Sequence, residues 1–232
     1  MKEIEVKKHT TLILILLLVF SFNVILIPVV SGKGMPWHSD LINIRGTKGD
    51  DYFVAYDQHN FQYRTFSGND TVNLTEAGGQ NYVDAGRDND SVIDSPFYDT
   101  IRLGDGDDTA THTGGNDILA GDDGNDLFEI YVDQVLISPD QPYDVGGPFV
   151  TSIDGGDGID TARFILALET DPGYKEAIIE AFENWRQTDP TAELDLNATT
   201  GSFSQPLNII LLDLERLEIS DSITGLIVYT YP

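Results

Sequence analysis

The sequence predicts an all-β fold, a right-handed parallel β-roll (a β-solenoid) with one inserted or capping α-helix. Three observations carry this expectation. Asp90, Asp99, Asp108, Asp117 and Asp126 recur every nine residues. Two residues beyond each stands Val92, Ile101, Ala110, Leu119 or Phe128, and Asn81 with Val83 extends the register one step back. Only one convincing stretch, opening at Asp171-Pro172, spaces its apolar residues as a helix does. A fixed short period sets architecture before local propensities are weighed.

Residues 1–32 read as a signal peptide or signal anchor. Lys2, Lys7 and Lys8 precede an apolar run from Leu12 to Val30, broken only by Ser21, Asn23 and Pro28, with small residues Ser31 and Gly32 after it. That order is the pattern of a secretory leader. The run is also about as long as a membrane span, so anchoring through residues 12–30 is the rival reading. Both place residues 33–232 outside the cytoplasm. Residues 33–45, with Pro36, read as an exposed lead-in.

The roll is expected over residues 46–168, with an insertion at 129–153. Gly46–Phe53 supplies a first glycine turn and short strand, and Ser67–Val72 a second. Each later unit is a turn plus three strand residues, such as Ser91–Ile93 or Leu127–Glu129. Strands so short are unstable alone. Stacked in parallel they complete one another's ladders. The apolar residue of each unit then faces inward, and two units close one coil of eighteen residues. After Phe128 the register lapses; Tyr131–Ile137 is a strand candidate, and Pro139, Pro142 and Pro148 mark a loop. The motif returns at Gly155–Arg163, with Phe164–Leu168 as strand.

Residues 169–232 are expected to form a C-terminal cap of helix and strands. Asp171-Pro172 offers an N-cap and a proline at the first helical position. Tyr174, Ile178, Ala181, Phe182 and Trp185 make one apolar face, and Asp189-Pro190 ends it. Residues 207–219 read as one or two buried strands, and Ile223–Tyr231 as a last one.

The net charge is −26, from 39 acidic and 13 basic residues. Nucleic acid is a poor partner for that surface, because phosphate binding needs a basic footprint. Within residues 79–126 there are twelve Asp, no Glu and only Arg87 and Arg102. A solvating acidic face would mix in Glu. Asp alone, among glycines, points to short carboxylates beside tightly turned backbone. The chain has no cysteine, which excludes disulfides, thiol catalysis and thiolate metal sites.

Glycine supplies the positive φ angles that such turns need. The turn carbonyls then point inward, and the Asp at the turn's end adds a carboxylate with little freedom to lose. Two stacked turns make an oxygen-only cage, suited to calcium with its six to eight oxygen ligands and less to magnesium. Transition metals need His or Cys, which the turns lack.

The pattern resembles the hemolysin-type calcium-binding repeat, the glycine-rich nonapeptide G-G-x-G-x-D-x-apolar-x of RTX proteins. Gly155–Arg163 matches every fixed position except that Ala162 holds the apolar place. Gly121 and Gly124 with Asp126 match all but the second glycine, and Gly104 and Gly106 with Asp108 keep two of three. Gly115 before Asp117 keeps the fourth-position glycine. The resemblance implies several Ca2+ ions between turns two repeats apart, held by Asp and turn carbonyls. Carried over, Asp108 pairs with Asp126, Asp90 with Asp108, and Asp99 with Asp117. Asp160 has an ideal turn but no Asp eighteen residues away, so it joins only if the 129–153 insertion restacks it. Asp99 follows Asp94–Tyr98, a turn without glycine, and Asn81 stands where an Asp is expected. RTX proteins carry a C-terminal export signal in place of a leader; the end Ile-Val-Tyr-Thr-Tyr-Pro does not read as one.

No catalytic motif is visible, so the chain is not expected to be an enzyme. There is no nucleophile-elbow frame around Ser67, Ser91 or Ser204 and no H-E-x-x-H. No EF-hand loop is present either. His38, His59 and His112 are scattered and read as surface residues. The expected function is that of a secreted calcium-binding repeat protein whose roll folds on binding the ions. The alternatives are a membrane-anchored adhesin or surface-structure component using the roll as a stiff spacer, and a secreted polysaccharide-active enzyme or hydrolase with the Glu176–Glu183 carboxylates. The sequence leaves any protein or glycan partner open.

Overall fold

A computed structural model describes residues 23–24, 42–55, 59–78, 80–132, 150–167, 172–188, 194–196 and 209–231. The chain is mostly β and forms two sheets. Sheet I runs β1 (Asn23–Val24), β3 (Asp51–Val54), β5 (Thr71–Asn73), β7 (Ser91–Ile93), β9 (Thr109–His112), β11 (Leu127–Tyr131), β14 (Thr161–Leu166), β17 (Arg216–Asp221) and β18 (Ile227–Tyr231). Sheet II runs β15 (Leu194–Asp195), β16 (Ile209–Leu212), β12 (Thr151–Asp154), β10 (Ile118–Gly124), β8 (Asp99–Asp105), β6 (Asn81–Arg87), β4 (Phe61–Arg64) and β2 (Ile42–Arg45), with β13 (Asp157–Gly158) beside β10.

The expected right-handed parallel β-roll is corrected by this pairing, because both sheets are mixed. Strands β2 to β14 pair in parallel, whereas β15 pairs antiparallel with β16 and β18 antiparallel with β17. The cause is local to the C-terminal part. After β17 the chain reverses through a tight turn, with Gly225 at φ +68° and its N–H on the Asp221 carbonyl. That reversal lays β18 back along β17 as a hairpin. Turn lengths also vary, so the register is not a uniform nine throughout.

From β1 to β12 consecutive strands alternate between the sheets, and their inward residues meet in the middle. Phe53, Val72, Val92, Ala110, Phe128, Ala162 and Leu217 are in register across sheet I. Tyr63, Val83, Ile101, Leu119, Ile153 and Leu211 are in register across sheet II. All are buried. Phe128 lies between Ala110 and Ala162, so a large ring fills the space that two small neighbours leave.

The insertion at 129–153 does not shift the stack. β12 continues sheet II beside β10, and β14 continues sheet I beside β11, with Leu127 opposite Thr161. The strand candidate Tyr131–Ile137 lies outside the described residues beyond Val132.

The helix, α1, spans Pro172–Thr188, within the limits set by the two prolines. It buries Ile178, Ala181, Phe182 and Trp185 in the common core. Phe182 packs at 5.3 Å on Trp185 and edge-on at 5.5 Å on Tyr231, while the Tyr229 hydroxyl donates to Glu183 (2.9 Å). The helix thereby braces β18. Among the described residues no helix is long and apolar enough to cross a membrane. The apolar segment 12–30 lies outside the described residues except for Asn23–Val24, which pair with β3.

Candidate metal centre

Where the chain passes from sheet II to sheet I, the turns stack into one edge, and each ends in a buried Asp. These carboxylates form a ladder. The Asp51 N–H donates to Asp70 Oδ1 (2.7 Å), Asp70 N–H to Asp90 (2.7 Å) and Asp90 N–H to Asp108 (2.6 Å). Asp108 N–H donates to Asp126 (2.9 Å), Asp126 N–H to Asp160 (2.7 Å) and Asp160 N–H to Glu215 Oε2 (2.8 Å). Asp160, without an Asp at eighteen residues in sequence, therefore stands next to Asp126 in space.

One oxygen of each carboxylate is thus used, and the other is not. Oδ2 of Asp70, Asp90, Asp108, Asp126 and Asp160 is buried without a hydrogen-bond partner. The Thr65 hydroxyl beside Asp70 donates instead to the Ala85 carbonyl. Asp51 is different, since its Oδ2 accepts the Thr47 N–H (2.5 Å). A buried acceptor left bare costs about 1–3 kcal/mol, more if charged. Five in a row require an explanation.

Burial drives these groups toward the neutral form. It raises Asp90 to about 8, with Asp108 and Asp70 adding repulsion. Burial likewise raises Asp126 to about 7, and Asp70, Asp108 and Asp160 to about 6. Neighbouring backbone N–H groups pull each one back in part, and at Asp70 the adjacent Thr65 hydroxyl does so first.

Turn backbone closes in on the same space. A Cβ on Gly104, Gly106, Gly124, Gly156 or Gly158 would collide with the carbonyl oxygen of Gly86, Asp88, Gly106, Asp122 or Gly124 respectively. Each turn therefore aims carbonyls at the next across a gap that only glycine leaves open. Gly121 does the same beside Asp126 Oδ2 and the Gly155 carbonyl. Gly124→Ala is expected to destabilise by about 2–5 kcal/mol, combining strain at φ +146° with a backbone clash. Gly49→Ala, with no atom within 4 Å of the new methyl, should move the urea midpoint little. Equal midpoints for the two variants would contradict this account of the turns.

A second, exposed ladder runs beside the first with opposite polarity. Asn69 N–H donates to Asp50 (2.9 Å), Asn89 to Asn69 (2.9 Å), Asp107 to Asn89 (3.1 Å) and Asn125 to Asp107 (2.9 Å). Ile159 N–H closes the series on Asn125 (3.1 Å). The residue just before each ladder Asp is Asp50, Asn69, Asn89, Asp107 or Asn125, a periodicity the nonapeptide pattern passes over.

The other edge, where the chain passes from sheet I to sheet II, is built differently. Asp99 and Asp117 continue a ladder there, with Asn81 N–H on Asp99 (3.1 Å) and Asp99 N–H on Asp117 (2.6 Å). Both Asp99 oxygens are already taken. Oδ2 accepts from Ser95 N–H (2.8 Å) and hydroxyl (2.7 Å), and Oδ1 from the Asn81 side-chain amide (2.7 Å). Gly115 follows the same close-approach rule as the first edge, against the Phe97 carbonyl.

This edge also overturns two expectations. His112 is fully buried, not a surface residue, and a histidine does adjoin the turns. Its Nδ1 lies 2.6 Å from Asp94 Oδ2 and 3.2 Å from Asp117 Oδ2. Burial pulls the imidazole down, but Asp94 and Asp117 outweigh it and hold it protonated up to about 10. Asp117 is pushed well above the carboxylate range by burial, opposed by His112. Asp70, Asp94, His112 and the Asx ladder fall outside the nine-residue Asp register, which is why the sequence pattern does not single them out. Asp70 sits twenty residues before Asp90, a signal that was there to use.

Comparison with protein-family models, with curated proteins and with solved structures finds no match to this chain.

Proposed function

We propose that this chain is an extracellular calcium-binding repeat protein whose stacked turns are completed by several calcium ions along the first edge. The observation that carries the reading is the column of five buried Oδ2 atoms without partners, on Asp70, Asp90, Asp108, Asp126 and Asp160. Beside Gly121 the Gly155 carbonyl crowds the same spot as Asp126 Oδ2, and beside Gly155 the Asp213 carbonyl crowds the same spot as Asp160 Oδ2. Calcium supplies a hard divalent charge that accepts six to eight oxygens in flexible geometry. The five side chains of the column are all carboxylates. The likeness of Gly155–Arg163 and Gly121–Phe128 to the hemolysin-type repeat supports the same ion, and the leader-like residues 2–32 support the extracellular setting.

The chain's own residues have a definite share in this. Each Asp uses Oδ1 to accept the backbone N–H of the preceding turn's Asp, which fixes the carboxylate and aims Oδ2. Glycines let neighbouring carbonyls approach. Glu215 and Asp51 close the two ends of the column. Binding and ordering are therefore one process.

The test is a calcium titration followed by circular dichroism. Asp108→Ala with Asp126→Ala is expected to weaken the response more than about tenfold, because the number of charged ligands sets affinity. Asp84→Ala, on the outward face of β6, should titrate like the natural chain. Identical midpoints in all three proteins would overturn the proposal.

A further inference from the structure

A second metal chemistry is built into the opposite edge. In sheet I the inward residues one step past the apolar column are Ala55, Leu74, Asp94, His112, Ile130, Phe164 and Ile219, all buried. The core is apolar on both sides of Asp94 and His112. His112 is in register with Ile130, and Leu74 N–H binds the Ile93 carbonyl just before Asp94. Two polar residues in such a column cost stability unless they are satisfied or used.

From sheet II, Asp117 meets them. Asp94, His112 and Asp117 place one ligand atom each within 4.8 Å of one another. The far side of every ligand is already tied. Asp94 Oδ1 accepts from Thr113 N–H (2.8 Å) and hydroxyl (2.7 Å). Asp117 Oδ1 accepts the Asp99 N–H (2.6 Å). His112 Nε2 lies 3.4 Å from the Thr151 hydroxyl. Such outer partners orient metal ligands and set their tautomer. What converges is Asp94 Oδ2, His112 Nδ1 and Asp117 Oδ2, and the fully buried last of these faces only the His112 ring, at 3.2 Å.

We infer that Asp94, His112 and Asp117 form a zinc-class divalent-cation site, distinct in chemistry from the oxygen-only edge. Metal–ligand lengths of about 2.0–2.2 Å put neighbouring ligand atoms roughly 3.3 Å apart; His112 and Asp117 already stand at 3.2 Å, and the 2.6 Å hydrogen bond between His112 and Asp94 opens as its proton leaves. One imidazole nitrogen with two carboxylates suits zinc and its neighbours, whereas calcium prefers oxygen alone. Charge argues the same way. Asp94, Asp99 and Asp117 bring three carboxylates together in the core against a single imidazole. A divalent ion with neutral His112 balances two of them, and a proton on His112 balances only one. On binding, Nδ1 gives up its proton to solvent and its lone pair faces the metal.

The inference stands apart from calcium at the first edge, and its test separates the two. Cobalt(II) would be added to the full chain in saturating calcium, followed by zinc. The expected result is one cobalt equivalent with visible ligand-field absorption, bleached by zinc and insensitive to excess calcium. His112→Gln should lose at least about a hundredfold in affinity while the calcium response persists. Thr151→Val, which leaves all three ligands in place, should weaken zinc about tenfold or more. Should His112→Gln fail to fold, the His112 ring resonances of the natural chain decide; zinc must shift them. Absence of bound cobalt, an unchanged His112→Gln spectrum, or ring resonances indifferent to zinc would each overturn the site and leave a buried ion-pair cluster.

Discussion

Stripping calcium from the chain near neutral pH is expected to lower its melting temperature by about 10–20 °C and to abolish much of its strand signal. Asp70, Asp90, Asp108, Asp126 and Asp160 stand immediately before β5, β7, β9, β11 and β14, successive strands of sheet I, where neighbouring strands are roughly 4.8 Å apart. Two unit charges at that distance repel by about 3 kcal/mol at an effective dielectric of about 20. Four neighbouring pairs therefore approach the whole net stability of an ordinary domain, about 5–15 kcal/mol. The column cannot be ionised, buried and uncompensated at once. Without the ion it must take up protons or open. A loss of about 5 kcal/mol corresponds to the stated shift for a chain of this size. The exposed Asx ladder and the apolar core stay in place, which is why partial order is expected to survive. Calorimetry with a chelator, then with restored calcium, measures the effect. Magnesium should restore little, since it demands a stricter octahedron and keeps its water. A melting temperature indifferent to the chelator would defeat the reading.

Much of this arrangement was legible in the sequence, and the rest was hidden for physical reasons. The nine-residue register located the inward residues Val83, Val92, Ile101, Ala110, Leu119 and Phe128, because burial on one side of a strand needs an apolar residue at a fixed phase. The capping signals at Asp171-Pro172 and the stop at Asp189-Pro190 bounded α1. The antiparallel hairpin of β17 and β18 was not legible, because Ile227–Tyr231 pairs equally well in either direction as far as its residues show. Asp122 occupies a second-glycine place at φ +70°, so a missing glycine there did not mean a missing turn. At the Asp94–Tyr98 turn, Ser95 and Asn81 satisfy Asp99 by hydrogen bonds, a substitution that no glycine count reveals. His112 looked isolated because Asp94 is eighteen residues away in the chain yet adjacent in the sheet. Only the parallel register of β7 and β9 brings the two together.

Metal-free and calcium-loaded protein are expected to respond to pH in opposite directions. The ladder carboxylates have folded-state values raised by burial, to about 8 for Asp90, about 7 for Asp126 and about 6 for Asp70, Asp108 and Asp160. Unfolded, each returns to about 3.9. Between these limits the folded state holds more protons than the unfolded one, so stability falls as pH rises. In chelator the chain should therefore be firmest near pH 4 and weaken steadily up to about pH 8, the reverse of ordinary acid denaturation. His112, held protonated up to about 10, adds a loss in the same direction at higher pH. Calcium inverts the sign at the ladder. A bound ion favours the carboxylate, drives its folded value below the unfolded one, and makes the contribution present above about pH 4 and lost on acidification. Melting curves from pH 4 to 9, with chelator and with calcium, should then cross. Protons must also leave when calcium enters near pH 7, since Asp90 and Asp126 are then partly protonated. Calorimetric titration in buffers of different ionisation enthalpy counts them directly. Zero release, or a chelated protein most stable near neutrality, would show that the ladder oxygens face something other than a cation.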